Sequence, residues 1–202
     1  LGRKEEKKDM TMVTTVYLLR HGAYENPKKI FPGRLPGYGL SPLGKQQASR
    51  LAEFFSNKPI SSVFASPLAR TLETAKIIAQ KLNLPVVTDT RLLEVQSPFD
   101  GLPMGDIEAR ARAGKMYTKK YFDQGLERIP EIFRRMDRCL RDIVHKQHGK
   151  HVIVVSHGDP MMSVWFGYRG LTWSKGFAME NWYVPQASGF KIEFNAAGNL
   201  SE

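Results

Sequence analysis

Two histidines of this chain stand in matching surroundings. Arg20-His21-Gly22 closes the apolar run Thr14 to Leu19, and Ser156-His157-Gly158 closes the run His151 to Val155. Arg70 follows another such run by a few residues, and Glu94 follows the pair Val86-Val87. Two imidazoles, two guanidiniums and a carboxyl group together suit the handling of a phosphate ester. Arginine offers phosphate oxygens a rigid fork of donors. A neutral imidazole nitrogen is a competent nucleophile for phosphorus. Phosphoryl transfer is mostly positioning and charge stabilisation, which cations around the transferred group supply. The leaving alkoxide needs a proton, and a carboxyl group beside a phosphate dianion has its pKa raised toward that task. A glycine after each histidine lets backbone N–H groups approach a ligand, which makes Gly158 a candidate contact.

Elements that hold these residues can be read from the pattern. Thr14 to Leu19, Ser62 to Ala65, Leu84 to Val87 and His151 to Val155 are short, apolar and β-branched, as buried strands are. Ser41-Pro42, Ser66-Pro67 and Asp159-Pro160 each read as an N-cap followed by proline at the first helical position. One face of the first helix takes Leu43, Ala48, Leu51, Ala52, Phe54 and Phe55; the second repeats Leu68, Leu72, Ala75, Ile78, Ala79 and Leu82. The clearest helix runs from about Pro130 to His148 and stops at Gly149. Residues 106–122 have helical character, and residues 95–104 read as an irregular loop. Trp182 to Val184 and Phe190 to Phe194 look like a closing hairpin. Alternating strands and helices predict a three-layer α/β/α sandwich with a mainly parallel central sheet. In such sheets ligands bind beyond the carboxyl ends of the strands, where Arg20-His21-Gly22, Ser66 to Arg70 and Ser156-His157-Gly158 fall.

The chain has 202 residues, 42% hydrophobic and 25% charged. That excludes a disordered tail, a collagen-like rod and a coiled coil. Residues 1–12 are expected to be a flexible or appended leader before one domain, 13–202. No apolar stretch approaches the ~18 residues of a membrane span. The one cysteine, Cys139, allows no internal disulfide and no Cys-based zinc site, which points to a reducing cytoplasm. Net charge is +10, and residues 108–150 carry twelve bases against six acids. A basic balance suggests anionic partners without choosing among them.

Here the sequence resembles the histidine phosphatase superfamily, of phosphoglycerate mutase-like fold. Leu18-Leu19-Arg20-His21-Gly22 looks like that family's signature. Gly33-Arg34 with Leu40-Ser41-Pro42-Leu43-Gly44, the stretch Ala65 to Ala75, Leu92-Leu93-Glu94, and Val154-Val155-Ser156-His157-Gly158 resemble its further segments, in order. The resemblance implies that His21 takes the phosphoryl group, that Arg20, Arg70 and His157 hold its oxygens, and that Glu94 protonates the leaving group and then assists water. Asn26, Arg34 and Gly158 are implied substrate contacts; for Asn26 and Arg34 a loop-surface role is equally open. The chain departs from the family pattern at Ala23, where glutamate is usual, and at Phe99-Asp100-Gly101, where a Trp-Glu-Gly is usual at other spacing. Asp100 or Glu25 therefore remains an alternative acid.

The expected activity is a metal-independent phosphomonoesterase of the histidine acid phosphatase type, with no cofactor, acting on a small phosphorylated substrate. A phosphoglycerate mutase-type phosphotransferase and a catalytically weak phosphate- or nucleic-acid-binding module are the alternatives. Neither a membrane nor nucleic acid is the expected partner, because the bases of 108–150 lie partly on an amphipathic helix with a solvated side. His145, His148 and His151 are evenly spaced, yet a strand begins near His151, so they do not share a helix face and read as no metal site. Cys139 reads as a packing residue. The aromatic residues between Phe166 and Trp182 either line a specificity pocket or pack the core.

Overall fold

The computed structural model describes residues 12–171 and 183–201. Within them lie the strands β1 (Thr14–Arg20), β2 (Ile60–Ala65), β3 (Val86–Thr88), β4 (His151–Ser156) and β5 (Gly189–Phe194). They form one sheet in the order β3-β2-β4-β1-β5. The first four are mutually parallel, and β5 runs antiparallel to β1. The helices are α1 (Pro42–Phe55), α2 (Ala69–Leu82), α3 (Met104–Arg112), α4 (Lys119–Phe122), α5 (Ile129–Lys146) and α6 (Gly158–Tyr168).

The alternation of strand side chains makes three layers. Val16, Leu18, Val152 and Val154 face one cluster, which α5 fills with Ile132, Met136 and Leu140 and α6 with Met161 and Val164. Leu19, Val63, Ala65, Ile153 and Val155 face the other, closed by Ala52 and Phe55 of α1 and by Ala75 and Ile78 of α2. β1 and β4 are adjacent, yet β1 continues into α1 on one face and β4 into α6 on the other. Such a divergence opens a crevice at the carboxyl ends of the two strands. His21 and His157 sit there, one residue beyond β1 and β4.

Several expectations shift. In α1 the buried stripe is Gly44, Ala48, Ala52 and Phe55, while Leu43 and Phe54 are exposed because they flank that stripe by one residue. Ser41 is the N-cap, its hydroxyl accepting from the Gly44 N–H at 3.1 Å. The other two cap assignments fail. α2 starts at Ala69, three residues after Ser66, and α6 starts at Gly158, so Asp159 lies inside its first turn. Both freed side chains serve the crevice instead. The expected hairpin is a single strand, β5; Tyr183 and Val184 form no strand, because they are committed to Asp159 and Arg20, and Trp182 lies outside the described residues. Residues 106–122 resolve into α3 and α4. The bases of α5 are not all on its solvated side, since Arg135 turns inward to Glu127.

Gly44 is a point of close approach. A Cβ there would stand 1.8 Å from the Ala23 carbonyl oxygen, which also accepts from the Ser41 N–H at 3.0 Å. Gly44→Ala must push α1 from the exit of β1. It is expected to cost about 1–3 kcal/mol, read as a lowered urea midpoint with an unchanged slope.

Candidate active site

Arg70 is 2% exposed, a long charged side chain inside the protein. It occupies the second position of α2 and points back along the helix start toward β1. Its Nη2 donates to the Gly33 carbonyl at 2.8 Å, and its Nε donates to His21 Nε2 at 3.3 Å. Arg20 donates from Nη1 to the Val184 carbonyl at 2.7 Å and lies over the Tyr183 ring. Among the described residues neither arginine has a carboxylate within ion-pair distance. Burying a guanidinium without a counter-ion is costly, and a bound anion would offset that cost.

His21 is buried, with Nδ1 2.8 Å from the Gly22 carbonyl. A carbonyl only accepts, so Nδ1 carries the proton and the Nε2 lone pair is the one turned toward Arg70. Burial, followed by the charges of Arg70 and Arg20, holds the imidazole well below its ordinary pKa, so it is neutral at pH 7. The Gly22 N–H, expected to approach a ligand, is instead donated to Thr74 Oγ1 at 3.1 Å. The helix that carries Arg70 thereby also clamps the His21 loop.

His157 packs edge-on against His21, with ring centroids 5.3 Å apart. Its Nε2 is 2.8 Å from Ser66 Oγ, while its buried Nδ1 has no hydrogen-bond partner and lies 3.9 Å from Glu94 Oε2. A Ser66 hydroxyl that donates to Nε2 leaves the imidazole proton on Nδ1, facing the crevice. Burial and then Arg70 keep this ring neutral too.

Glu94 is raised to about 7, first by burial and then by the Asp159 carboxylate, against the pull of Arg70. Its backbone is pinned. The Glu94 carbonyl accepts from Arg34 Nε at 2.7 Å and from Arg135 Nη2 at 3.3 Å, and both arginines pair with Glu127. Arg34 therefore holds the acid's main chain and does not line the crevice. Asn26 closes its own loop, both ends of its amide bonding to Ile30. Asp100 accepts from the Arg34 N–H, and Glu25 is exposed; neither lines the crevice. Phe166 packs the core, and Trp173, Phe177 and Trp182 lie outside the described residues. Cys139 is buried in α5, and burial pushes its thiol up to about 12. Of the evenly spaced histidines, His148 bonds the Ala196 carbonyl, and the described residues hold no cluster of metal-ligating side chains.

Asp159 was read as a helix cap, but its carboxylate accepts from Tyr117 at 2.5 Å and Tyr183 at 2.7 Å, deep in the crevice. Gly158 makes room for this pairing: a Cβ there would stand 2.0 Å from the Tyr183 hydroxyl. The crevice is a cavity of about 450 Å³, with Arg20, His21, Arg70, Glu94 and Asp159 in its wall.

A family model described as histidine phosphatase superfamily, branch 1, matches residues 16–200. The chain belongs to that superfamily. Phosphoserine phosphatase 1 of Hydrogenobacter thermophilus is 30% identical over 78% of this chain and 77% of its own length. A probable phosphoglycerate mutase of Yersinia pestis is 33% identical over 71% and 69%. The solved structure of Bacillus stearothermophilus YhfR superposes with a TM-score of 0.79 at 23% identity, covering 93% of this chain and 94% of that one. The phosphoglycerate mutase-like fold expected from the motifs is thus the observed one. Among the described residues no helix is long and apolar enough to cross a membrane.

Residues that the motifs did not single out also build this crevice. Ser66 holds the His157 ring, Glu127 and Arg135 brace the Glu94 main chain, and Asp159, Tyr117 and Tyr183 line the cavity beside Glu94. Ser66 offered a signal, since it ends a strand beside an expected ligand-binding edge, but the serine-proline pair favoured a cap. Ser66→Ala is expected to lower kcat about tenfold with folding intact, because the ring loses the partner that sets its tautomer. Ser66→Thr, which keeps the hydroxyl, should recover most of that loss, read from steady-state phosphate release.

Proposed function

We propose that the protein is a phosphomonoesterase that hydrolyses a small phosphate ester through a phosphohistidine on His21. One observation carries the reading: a buried imidazole presents an oriented Nε2 lone pair beside the buried Arg70 guanidinium, and among the described residues neither Arg70 nor Arg20 has a carboxylate within ion-pair distance. The relatives named as a phosphatase and as a mutase are in keeping with it.

The phosphate of the substrate takes the place beside Arg70 Nε that His21 Nε2 now occupies as acceptor. Arg20, Arg70 and the His157 Nδ1–H hold the equatorial oxygens and neutralise the charge they gather. His21 Nε2 attacks phosphorus in line as the ester P–O bond breaks, and Glu94 passes its proton to the departing oxygen. Water then attacks the phosphohistidine and gives a proton to the Glu94 carboxylate. The P–N bond breaks, and inorganic phosphate leaves with both side chains restored. Fixed cations stand where a metal ion acts in many other phosphoryl-transfer sites.

The test is phosphate release from a panel of phosphomonoesters with EDTA present, alongside an assay for phosphoglycerate isomerisation. Release that chelation leaves unchanged supports the proposal. Isomerisation without release would assign the same residues to a phosphotransferase, and release that needs an added metal would overturn the metal-independent mechanism.

A further inference from the structure

The far side of the cavity differs in character from the phosphate end. α3 turns Met104, Ile107, Glu108 and Ala111 toward it, a spacing of three, four and seven that places them on one helix face. Phe31 and Met116 add to the same wall. Of the bases of α3, Arg110 is directed to the Tyr121 hydroxyl, and Arg112 makes a largely exposed 3.8 Å pair with Glu108 without itself lining the cavity. Among the described residues, the cations that line the cavity are Arg20 and Arg70, both at the His21 end, and the remaining charged groups are the acids Glu94, Glu108 and Asp159.

A substrate whose phosphate sits against His21 must lay its alcohol along this wall. A carboxylate or second phosphate on that alcohol would meet apolar side chains and acids, and would be desolvated without a partner. Methylene and aromatic groups instead gain from leaving water. Resting on the phosphomonoesterase reading above, we infer that this enzyme selects phosphate esters of alcohols that carry no further anionic group and whose apolar carbon chain lies on the Met104–Ile107–Ala111 stripe.

Non-hydrolysable n-alkyl phosphonates separate this subsite from catalysis. Calorimetric Kd values for the wild-type full chain are expected to fall about threefold per added methylene from methyl to hexyl, near the limit of about fourfold for complete burial. 2-Carboxyethylphosphonate should bind at least tenfold more weakly than propylphosphonate. Ala111→Lys should flatten the series and narrow that tenfold gap; Met104→Lys is the second variant if Ala111→Lys fails to fold. In parallel, hexyl phosphate should be hydrolysed with higher kcat/KM than 3-phosphoglycerate, two esters of aliphatic alcohols. A flat phosphonate series, or tighter binding of the carboxylate analogue, overturns the inference even if both esters are hydrolysed. Hydrolysis of neither ester overturns the phosphomonoesterase reading, and the substrate assignment with it.

Discussion

His21→Ala is expected to lose phosphate release by about four orders of magnitude or more while keeping fold and phosphate affinity. Deleting a covalent nucleophile removes the reaction path itself, and comparable deletions in other enzymes cost about a millionfold. Binding is expected to survive because the anion is held by charges that the substitution leaves in place, Arg20 and Arg70, together with His157. Removing the ring also frees Arg70 Nε from its 3.3 Å contact with His21 Nε2, so inorganic phosphate should bind at least as tightly as to the wild type. Calorimetry with phosphate, and release assays on the same preparations, check both halves. Retained turnover would mean that water attacks the ester directly, with His21 only one more phosphate ligand.

Glu94→Gln carries the second large effect, and its size depends on the leaving group. With an alkyl ester the departing oxygen needs a proton, and kcat should fall about 10²–10⁴-fold. With p-nitrophenyl phosphate the leaving group is stable as an anion. Its first turnover should be nearly unchanged, followed by a slow steady state, because hydrolysis of the phosphohistidine has lost its base. The pH profile should move with it. Burial and Asp159 raise the Glu94 carboxyl to about 7, so the protonated form needed for alkyl esters is lost as pH rises through that value. His21 is held well below the ordinary imidazole value, so its neutral, nucleophilic form persists far to the acid side. Wild-type kcat/KM on an alkyl ester should therefore be level through pH 6 and fall above about 7. Glu94→Gln should erase that alkaline limb, and a limb that survives would assign the proton to another group.

How far the sequence announces this arrangement depends on the kind of signal. β1, β4 and α5 were legible because burial on both faces, or on one helical stripe, leaves a long apolar pattern. Arg20, His21, Arg70, Glu94 and His157 were legible from motifs at or soon after the ends of strands; the first four line the cavity, and His157 packs behind them against His21 and Glu94. Ser66 and Asp159 were misread because serine or aspartate before proline is a frequent helix start, and local chemistry cannot tell a cap from a side chain wanted across the fold. Tyr183 and Val184 carry strand-forming residue types, yet tertiary contacts with Asp159 and Arg20 override that preference. Arg34 is a substrate contact only by the family resemblance of the Gly33-Arg34 stretch; its position beneath the Glu94 carbonyl depends on Glu127, more than ninety residues away. The α3 stripe was faint, since Met104, Ile107 and Ala111 are diluted by charged neighbours and face a cavity whose other walls come from distant segments.

The proposed mechanism requires a covalent phosphoryl group on His21 Nε2. Rapid quenching into alkali of the enzyme mixed with ³²P-labelled hexyl phosphate, followed by peptide mapping, tests it directly. An acid-labile, alkali-stable label is expected on the peptide that contains His21, formed and discharged at rates compatible with kcat and absent from His21→Ala. Product formed in a single turnover with no label on that peptide, or a label carried by His157, would contradict it.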